Sequence, residues 1–179
     1  MVKKPAVFLD RDGVINKKMP EGDYLKDWSE FSFLPGVFKA IRMLKKKDFL
    51  VVVVTNQRGI AKGIITEEKL KQIHKSMLDK IRKYGGNIDA IYFCPHDVSS
   101  GCECRKPKSG MILRAIEDFK NHDIEIDLER SYVIGDCEKD ITAGKPLEIK
   151  TIKIGGYSPL ANLTKKSLLE AVGFILKRD

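Results

Sequence analysis

The sequence predicts an α/β fold, a doubly wound and mostly parallel sheet, on three observations. Short apolar runs alternate with amphipathic helical stretches along the 179 residues. The run 49–54 is almost wholly β-branched, as in a strand covered on both faces. The runs ending before Asp10, Thr55, Cys94 and Asp136 break at once into polar, charged or metal-ligating residues, which puts chemistry at one edge of the sheet.

Taken in order, residues 6–9 form the first strand. The polar stretch from Arg11 to Pro35 is long for a connection inside a domain and hangs from the strand end carrying Asp10, so it reads as one wall of a site. Tyr24 is a candidate contact there, whereas Trp28 is expected, with Phe31 and Phe33, to tie the loop to the core. Pro35-Gly36 opens a helix to about Lys47, with Val37, Ala40, Ile41 and Leu44 on one face. After the strand 49–54, Thr66 caps a helix to about Tyr84 whose buried stripe is Leu70, Ile73, Met77, Leu78 and Ile81; His74, beside the stripe, is expected to be structural or exposed. Strand 90–93 follows Gly85-Gly86. Ser109 is expected to cap a helix with Met111, Ile112, Ala115, Ile116 and Phe119 inward. Strands 131–134 and 149–154 and a closing helix 168–176 complete the chain.

At 42% hydrophobic and 32% charged, the chain suits a single domain over 1–179 with one core. Its longest apolar stretch is far too short to span a membrane, so a cytoplasmic monomer without membrane partners is expected. The net charge of +8 favours anionic partners. The lysine clusters at 45–47 and 165–166 look like helix ends, so a small phosphorylated substrate is expected rather than nucleic acid.

Asp10 and Asp12 stand two residues apart and would repel unless a proton or a cation intervenes. With Mg²⁺ bound, the first can stay ionised as a nucleophile and the second can carry a proton as general acid. Gly13 permits the sharp turn that follows. The alternative is a solvated turn after a strand. The stretch Thr55-Asn56-Gln57-Arg58 offers a hydroxyl and backbone N–H groups to phosphoryl oxygens, though alone it is an ordinary turn. Cys94, His96, Cys102 and Cys104 make the Cys₃His set of a closed structural zinc site in a loop spanning 94–107; a disulfide or chance is the alternative. Such a knot would aim Arg105 and Lys106 at one target. Asp136 supplies the third carboxylate that a Mg²⁺ site shared with Asp10 requires. Cys137 beside it reads as a free thiol without a partner.

These residues converge on one sheet edge, and there the sequence resembles the haloacid dehalogenase superfamily of phosphotransferases, over Asp10-Arg11-Asp12-Gly13, Thr55-Asn56-Gln57, Lys106 and Gly135-Asp136 with Asp140. The resemblance implies its Rossmann-like fold. It also implies that Asp10 attacks phosphorus, that Asp12 protonates the leaving alcohol and later activates water, and that Thr55 and Lys106 steady the phosphoryl group. By the same resemblance Mg²⁺ sits on Asp10, the Asp12 carbonyl and Asp136, with Asp140 in support. Neither gap between motifs would hold the superfamily's cap domain, so an open site is expected. Residues 10–16, 55–63 and 94–111 resemble the branch acting on heptose 1,7-bisphosphate in the supply of ADP-heptose for lipopolysaccharide. That implies substrate contacts from Asn16, Tyr24, Asn56, Gln57, Arg58 and Arg105. Cys137 departs from that branch, which often has lysine there. Histidinol-phosphate phosphatases share the zinc loop, and polynucleotide end phosphatases are more distant. A zinc-stabilised binding module without activity would leave the strand-end residues unexplained.

Overall fold

The computed structural model describes residues 1–178. Its centre is a six-stranded sheet of β2 (Ala6–Leu9), β3 (Leu50–Asn56), β4 (Ala90–Cys94), β6 (Tyr132–Gly135), β7 (Lys150–Ile154) and β8 (Leu163–Lys165), parallel throughout in the order β4-β3-β2-β6-β7-β8. A second, two-stranded parallel sheet joins β1 (Val2–Lys4) to β5 (Ile124–Ile126). The helices are α1 (Val37–Lys46), α2 (Glu67–Lys83), α3 (Gly110–Lys120), α4 (Glu138–Gly144) and α5 (Leu168–Ile175).

The alternation of the strands divides the core into two layers. Val7, Leu9, Val51 and Val53 face α1, α5 and the end of α2, where Val37, Ile41, Leu44, Met77, Ile81 and Val172 lie fully or almost fully buried. Ala6, Phe8, Leu50, Val52 and Val54 face the opposite way, onto Met111, Ile112 and Ala115 of α3 and Ala143 of α4. Both sides of β2 and β3 are therefore dry, which is why these strands read as unbroken apolar runs. After β1 the chain enters the six-stranded sheet near its middle at β2, builds outward through β3 and β4, then crosses to β6 on the other side of β2. The order thus reverses at β2, and the crevice opens at its carboxyl end.

The structure departs from the sequence expectations at the smaller elements. β3 extends through Thr55 and Asn56, because both pair in register with Phe93 and Cys94 of β4. The three-residue strands β1, β5 and β8 are too short to carry a periodic signal. Helix α4 was not anticipated, since its seven residues mix acid, lysine, threonine and glycine. Thr66 caps α2 as expected, by accepting from Lys69 N–H at 3.2 Å. Ser109 precedes α3 but makes no cap bond; its hydroxyl donates instead to the Ala143 carbonyl at 2.7 Å, tying α3 to α4.

The 11–35 stretch is held at many points. Trp28 stacks on Phe31 at 4.8 Å, Phe31 meets Phe33, and Phe33 meets Phe38 of α1 at 4.5 Å. Leu25 is buried with Ile65, Leu70 and Ile73 in a cluster of its own. Trp28 thus anchors the loop, as expected.

Phe8 is fully buried in the central strand. Phe8→Ala should lower unfolding free energy by about 3–5 kcal/mol, the usual range for deleting a core phenylalanine, and urea denaturation checks it.

Candidate active site

Asp10 follows β2, and its N–H donates to Ile134 O of β6 at 3.0 Å, so the strand pairing carries on into the site. Gly13 has φ +87°, and a Cβ there would lie 2.5 Å from the Asp136 carboxyl. The turn after Asp10 and the carboxylate after β6 are thus packed face to face, and no side chain fits between them.

Lys106 lies at the centre. Its Nζ is 2.9 Å from Asp10 Oδ1 and 2.7 Å from Asp140 Oδ1, and it donates to Val54 O at 2.7 Å. Asn56 holds its backbone from both sides, accepting from Lys106 N–H and donating to Lys106 O, each at 3.1 Å. Burial alone would lower the lysine's pKa, but Asp10 and Asp140 outweigh it and hold the ammonium well above its ordinary range. Asp140, from the first turn of α4, also accepts from Cys137 N–H and Sγ–H, each at 3.1 Å. Cys137 therefore has a partner, contrary to the sequence reading. Burial and the neighbouring Asp140 charge push its thiol up to about 12, where it is an inert donor.

The two aspartates of the first motif sit in opposite environments. Burial lifts Asp10 to about 7, against the pull of Lys106 and with repulsion from Asp140 and Asp12. Asp12 is part-buried, its side chain 24% exposed, and Arg11, Asn16 and Gln57 more than offset its desolvation and hold it below the usual carboxylate range. Arg11 grips Asp12 through Nη2 at 2.9 and 3.1 Å and Nε at 3.3 Å; Asn16 donates to Oδ1 at 2.9 Å and Gln57 to Oδ2 at 3.0 Å. Gln57 also donates to Thr55 Oγ1 at 2.9 Å.

These carboxylates suit a hard cation. Asp136 Oδ1 is buried with no hydrogen-bond partner, and Asp136 Oδ2 already accepts from a cation, Lys18 Nζ, at 2.9 Å. A divalent ion would also lower the Asp10 carboxyl back toward ionisation. The cysteine cluster suits a softer one. Cys94 Sγ lies 3.6 Å from Cys102 Sγ and 3.6 Å from His96 Nδ1; Cys104 Sγ lies 3.6 Å from Cys102 Sγ and 3.2 Å from His96 Nδ1. A sulfur pair 3.6 Å apart is no disulfide, and a tetrahedron with Zn–S bonds of about 2.3 Å has edges of roughly 3.8 Å. Helix α3 begins against this loop, where a Cβ on Gly110 would meet Glu103 O at 2.2 Å.

A cavity of about 710 Å³ opens over Asp10 and Asp12, lined also by Lys18, Tyr24, Asn56, Gln57, Arg58, Lys62, Arg105, Lys106 and Lys139. Arg58 pairs with Asp97 at 2.8 Å, Lys62 lies over the Tyr24 ring at 5.3 Å, and Arg105 donates to His96 O at 3.1 Å. Thr55 and Asn16 are fully buried beneath this floor: the Asn16 NH₂ is spent on Asp12 and on Lys17 O, while its Oδ1 is left without a partner. Sequence reasoning missed two groups and one pairing. Arg11 was read as part of a turn, but it is the largest fully buried side chain. Lys18 carried no local signal; His74, expected to be structural or exposed, is buried, and what was missed is its partner, with Nε2 3.1 Å from Arg11 Nη1.

Residues 6–155 match the family model described as polynucleotide kinase 3 phosphatase. Over 184 aligned residues the chain is 35% identical to a D-glycero-beta-D-manno-heptose-1,7-bisphosphate 7-phosphatase of Pasteurella multocida, covering 97% of this chain and 96% of that one. The chain belongs to the haloacid dehalogenase phosphatases. The phosphatase is also 39% identical over 151 residues to a D-glycero-alpha-D-manno-heptose-1,7-bisphosphate 7-phosphatase of Campylobacter jejuni, covering 84% of this chain and 82% of the relative. Its fold superposes, with a TM-score of 0.87 and 29% identity over 98% of this chain and 99% of the other, on a D,D-heptose 1.7-bisphosphate phosphatase from B. bronchiseptica complexed with magnesium and phosphate. Among the described residues no helix is long and apolar enough to cross a membrane.

Burial beside Arg11 lowers the His74 pKa to about 3, so the folded phosphatase resists a proton that the unfolded chain accepts near 6.5. This contribution is complete above pH 6.5 and is lost as pH falls toward 3. The wild-type melting temperature should therefore fall more steeply between pH 6.5 and 4 than that of His74→Gln, as calorimetry across that range would show.

Proposed function

We propose that this phosphatase removes a phosphate from D-glycero-D-manno-heptose 1,7-bisphosphate through an aspartyl-phosphate intermediate on Asp10, supplying ADP-heptose for lipopolysaccharide. The observation that carries the reading is near full-length similarity to heptose-bisphosphate phosphatases together with the convergence of Asp10, Asp12, Lys106 and Asp136 at one sheet edge. We assign it to one capless domain, acting as a cytoplasmic monomer.

The bonds from Lys106 and from Arg11 N–H (2.8 Å) both fall on Asp10 Oδ1, which leaves Oδ2 for phosphorus. Lys106 holds its proton throughout and offers fixed positive charge to the phosphoryl oxygens. Mg²⁺, held by the Asp10 and Asp136 carboxylates and the Asp12 carbonyl, would neutralise charge on the transferring group. Asp12 is ionised in the free site, so its proton arrives with substrate, a phosphate monoester whose second pKa is about 6. Asp12 passes that proton to the departing alkoxide and then, ionised again, takes one from the water that cleaves the intermediate. The cations at the rim, Arg58, Lys62, Arg105 and Lys139, suit the second phosphate of a bisphosphate. Zn²⁺ on Cys94, His96, Cys102 and Cys104 would hold the loop that delivers Arg105 and Lys106.

The family-model match favours one second reading, a 3′-phosphate on a polynucleotide end. Mg²⁺-dependent phosphate release, measured in parallel on both anomers of the heptose bisphosphate, histidinol phosphate and a 3′-phosphorylated oligonucleotide, separates the readings by kcat/KM. The heptose bisphosphate should be preferred; preference for either other substrate overturns the assignment. Asp10→Asn should fall to background on every substrate with its circular dichroism unchanged, and substantial residual turnover would exclude Asp10 as nucleophile. Cys102→Ser should lower both melting temperature and bound zinc, read by calorimetry and elemental analysis, whereas a variant unchanged in both would show that the loop needs no metal.

A further inference from the structure

Among the buried residues described on helix α2, one is polar, and it reaches Arg11 beneath the site. His74 is 5% exposed among Leu70, Ile73 and Met77, with the Phe93 ring edge-on at 6.2 Å. An imidazole in such apolar surroundings is unfavourable unless hydrogen bonded. Its partner is Arg11 Nη1 at 3.1 Å, and a guanidinium can only donate. Nε2 must therefore be the acceptor, which places the single ring proton on Nδ1 and keeps His74 neutral.

Arg11 is itself 1% exposed and planar. One edge of its fork, Nε and Nη2, holds Asp12; the other edge, Nη1, rests on His74. A fork gripped on one edge alone can pivot about the carboxylate. The second grip, from a different element, fixes its plane and with it the direction in which Asp12 presents its oxygens. We propose that His74 is a positioning residue for proton transfer to the leaving group, acting through Arg11 on Asp12. This rests on the reading of Asp12 as the general acid given above. In the step concerned, a bond forms between Asp10 Oδ2 and phosphorus, the ester P–O bond breaks with its electron pair on the alcohol oxygen, and the Asp12 carboxyl proton moves to that oxygen. Misplacement of Asp12 by a fraction of an ångström slows only departures that need the proton.

The test uses that selectivity. An alkyl ester, whichever of heptose bisphosphate and histidinol phosphate the wild type turns over faster, needs its alkoxide protonated; p-nitrophenyl phosphate releases a stable phenolate and does not. Values of kcat/KM report only steps through alcohol release, so later hydrolysis of the intermediate does not enter. His74→Leu should lose roughly tenfold or more on the alkyl ester, within the range that general acids contribute, and less than about threefold on the aryl ester. His74→Gln, whose amide oxygen can take the place of Nε2, should recover the alkyl rate to within about threefold of wild type. Equal losses on both esters, no loss on either, or failure of the glutamine to rescue would overturn the proposal. If the leucine variant does not fold, His74→Asn, too short to reach Arg11, replaces it under the same criteria. A wild type inactive on all three esters would overturn the phosphatase reading itself, and this inference with it.

Discussion

The buried ammonium of Lys106 is the interaction on which the rest of the site depends. Its side chain is 4% exposed and lies between the more deeply buried Asp140, at 2%, and Asp10, at 11%. Two carboxylates in so dry a place would be untenable alone, and a lone ammonium equally so; together they form a chain of alternating charge. That chain crosses the topology, since Asp10 follows β2, Lys106 follows the cysteine loop after β4 and Asp140 begins α4. The Val54 carbonyl, on the strand between, accepts a further hydrogen bond from the ammonium. Removing Lys106 strands two carboxylates, whereas removing either acid leaves a matched pair, so the geometry at Asp10 rests on the lysine.

The same network separates the tasks of two neighbouring aspartates. Asp10 accepts from a lysine that also serves Asp140, and burial leaves it short of compensation, with its carboxyl raised to about 7. Asp12 receives donors on both oxygens from Arg11, Asn16 and Gln57, none shared with another carboxylate. The first is therefore the group that a divalent cation changes most, and the second is held in place whether or not a cation is present. Proton transfer and nucleophilic attack can then be tuned by different parts of the fold, α2 through Arg11 for one and the cysteine loop through Lys106 for the other.

What was legible in the sequence follows from how local its signal was. The runs around β2, β3 and β6 announce a buried parallel sheet because nearly every residue in them is apolar, and a change from apolar to acidic marks the end of β2 within one residue. Cys94, His96, Cys102 and Cys104 are equally local, since ligand identity and spacing restrict the chemistry. By contrast the grip of Arg11 on Asp12 joins residues whose strand gives no hint which way a long side chain turns, and the bond to His74 spans 63 positions. The resemblance has Asn16 facing substrate, yet its amide NH₂ is used beneath Asp12 and its Oδ1 is buried without a partner; nothing in an Asn after two apolar residues distinguishes the two. Cys137 looked partnerless because its acceptor, Asp140, becomes its neighbour only through the first turn of a helix too short to be read.

The division between rigid floor and variable rim bears on specificity. Below the cavity most polar groups are spent on one another, Asn16 Oδ1 and Asp136 Oδ1 excepted, and on the proposed reading a substrate meets there the face of Asp10, Asp12 and Lys106. Around the rim Arg58 is paired to a partly exposed Asp97, Lys62 lies over Tyr24 and Lys18 reaches Asp136 from a side chain 57% exposed. Exposed pairs of this kind contribute little to stability, so they can be exchanged for contacts with a second anionic group at small loss. The segments that carry them are nonetheless seated by Leu25, Trp28 and Phe31 on one side and by the cysteine loop on the other. On the proposed reading, discrimination between phosphate esters would lie in cations whose backbones are fixed and whose side-chain partners are replaceable, while the chemistry would stay with a floor that no change of substrate needs to disturb.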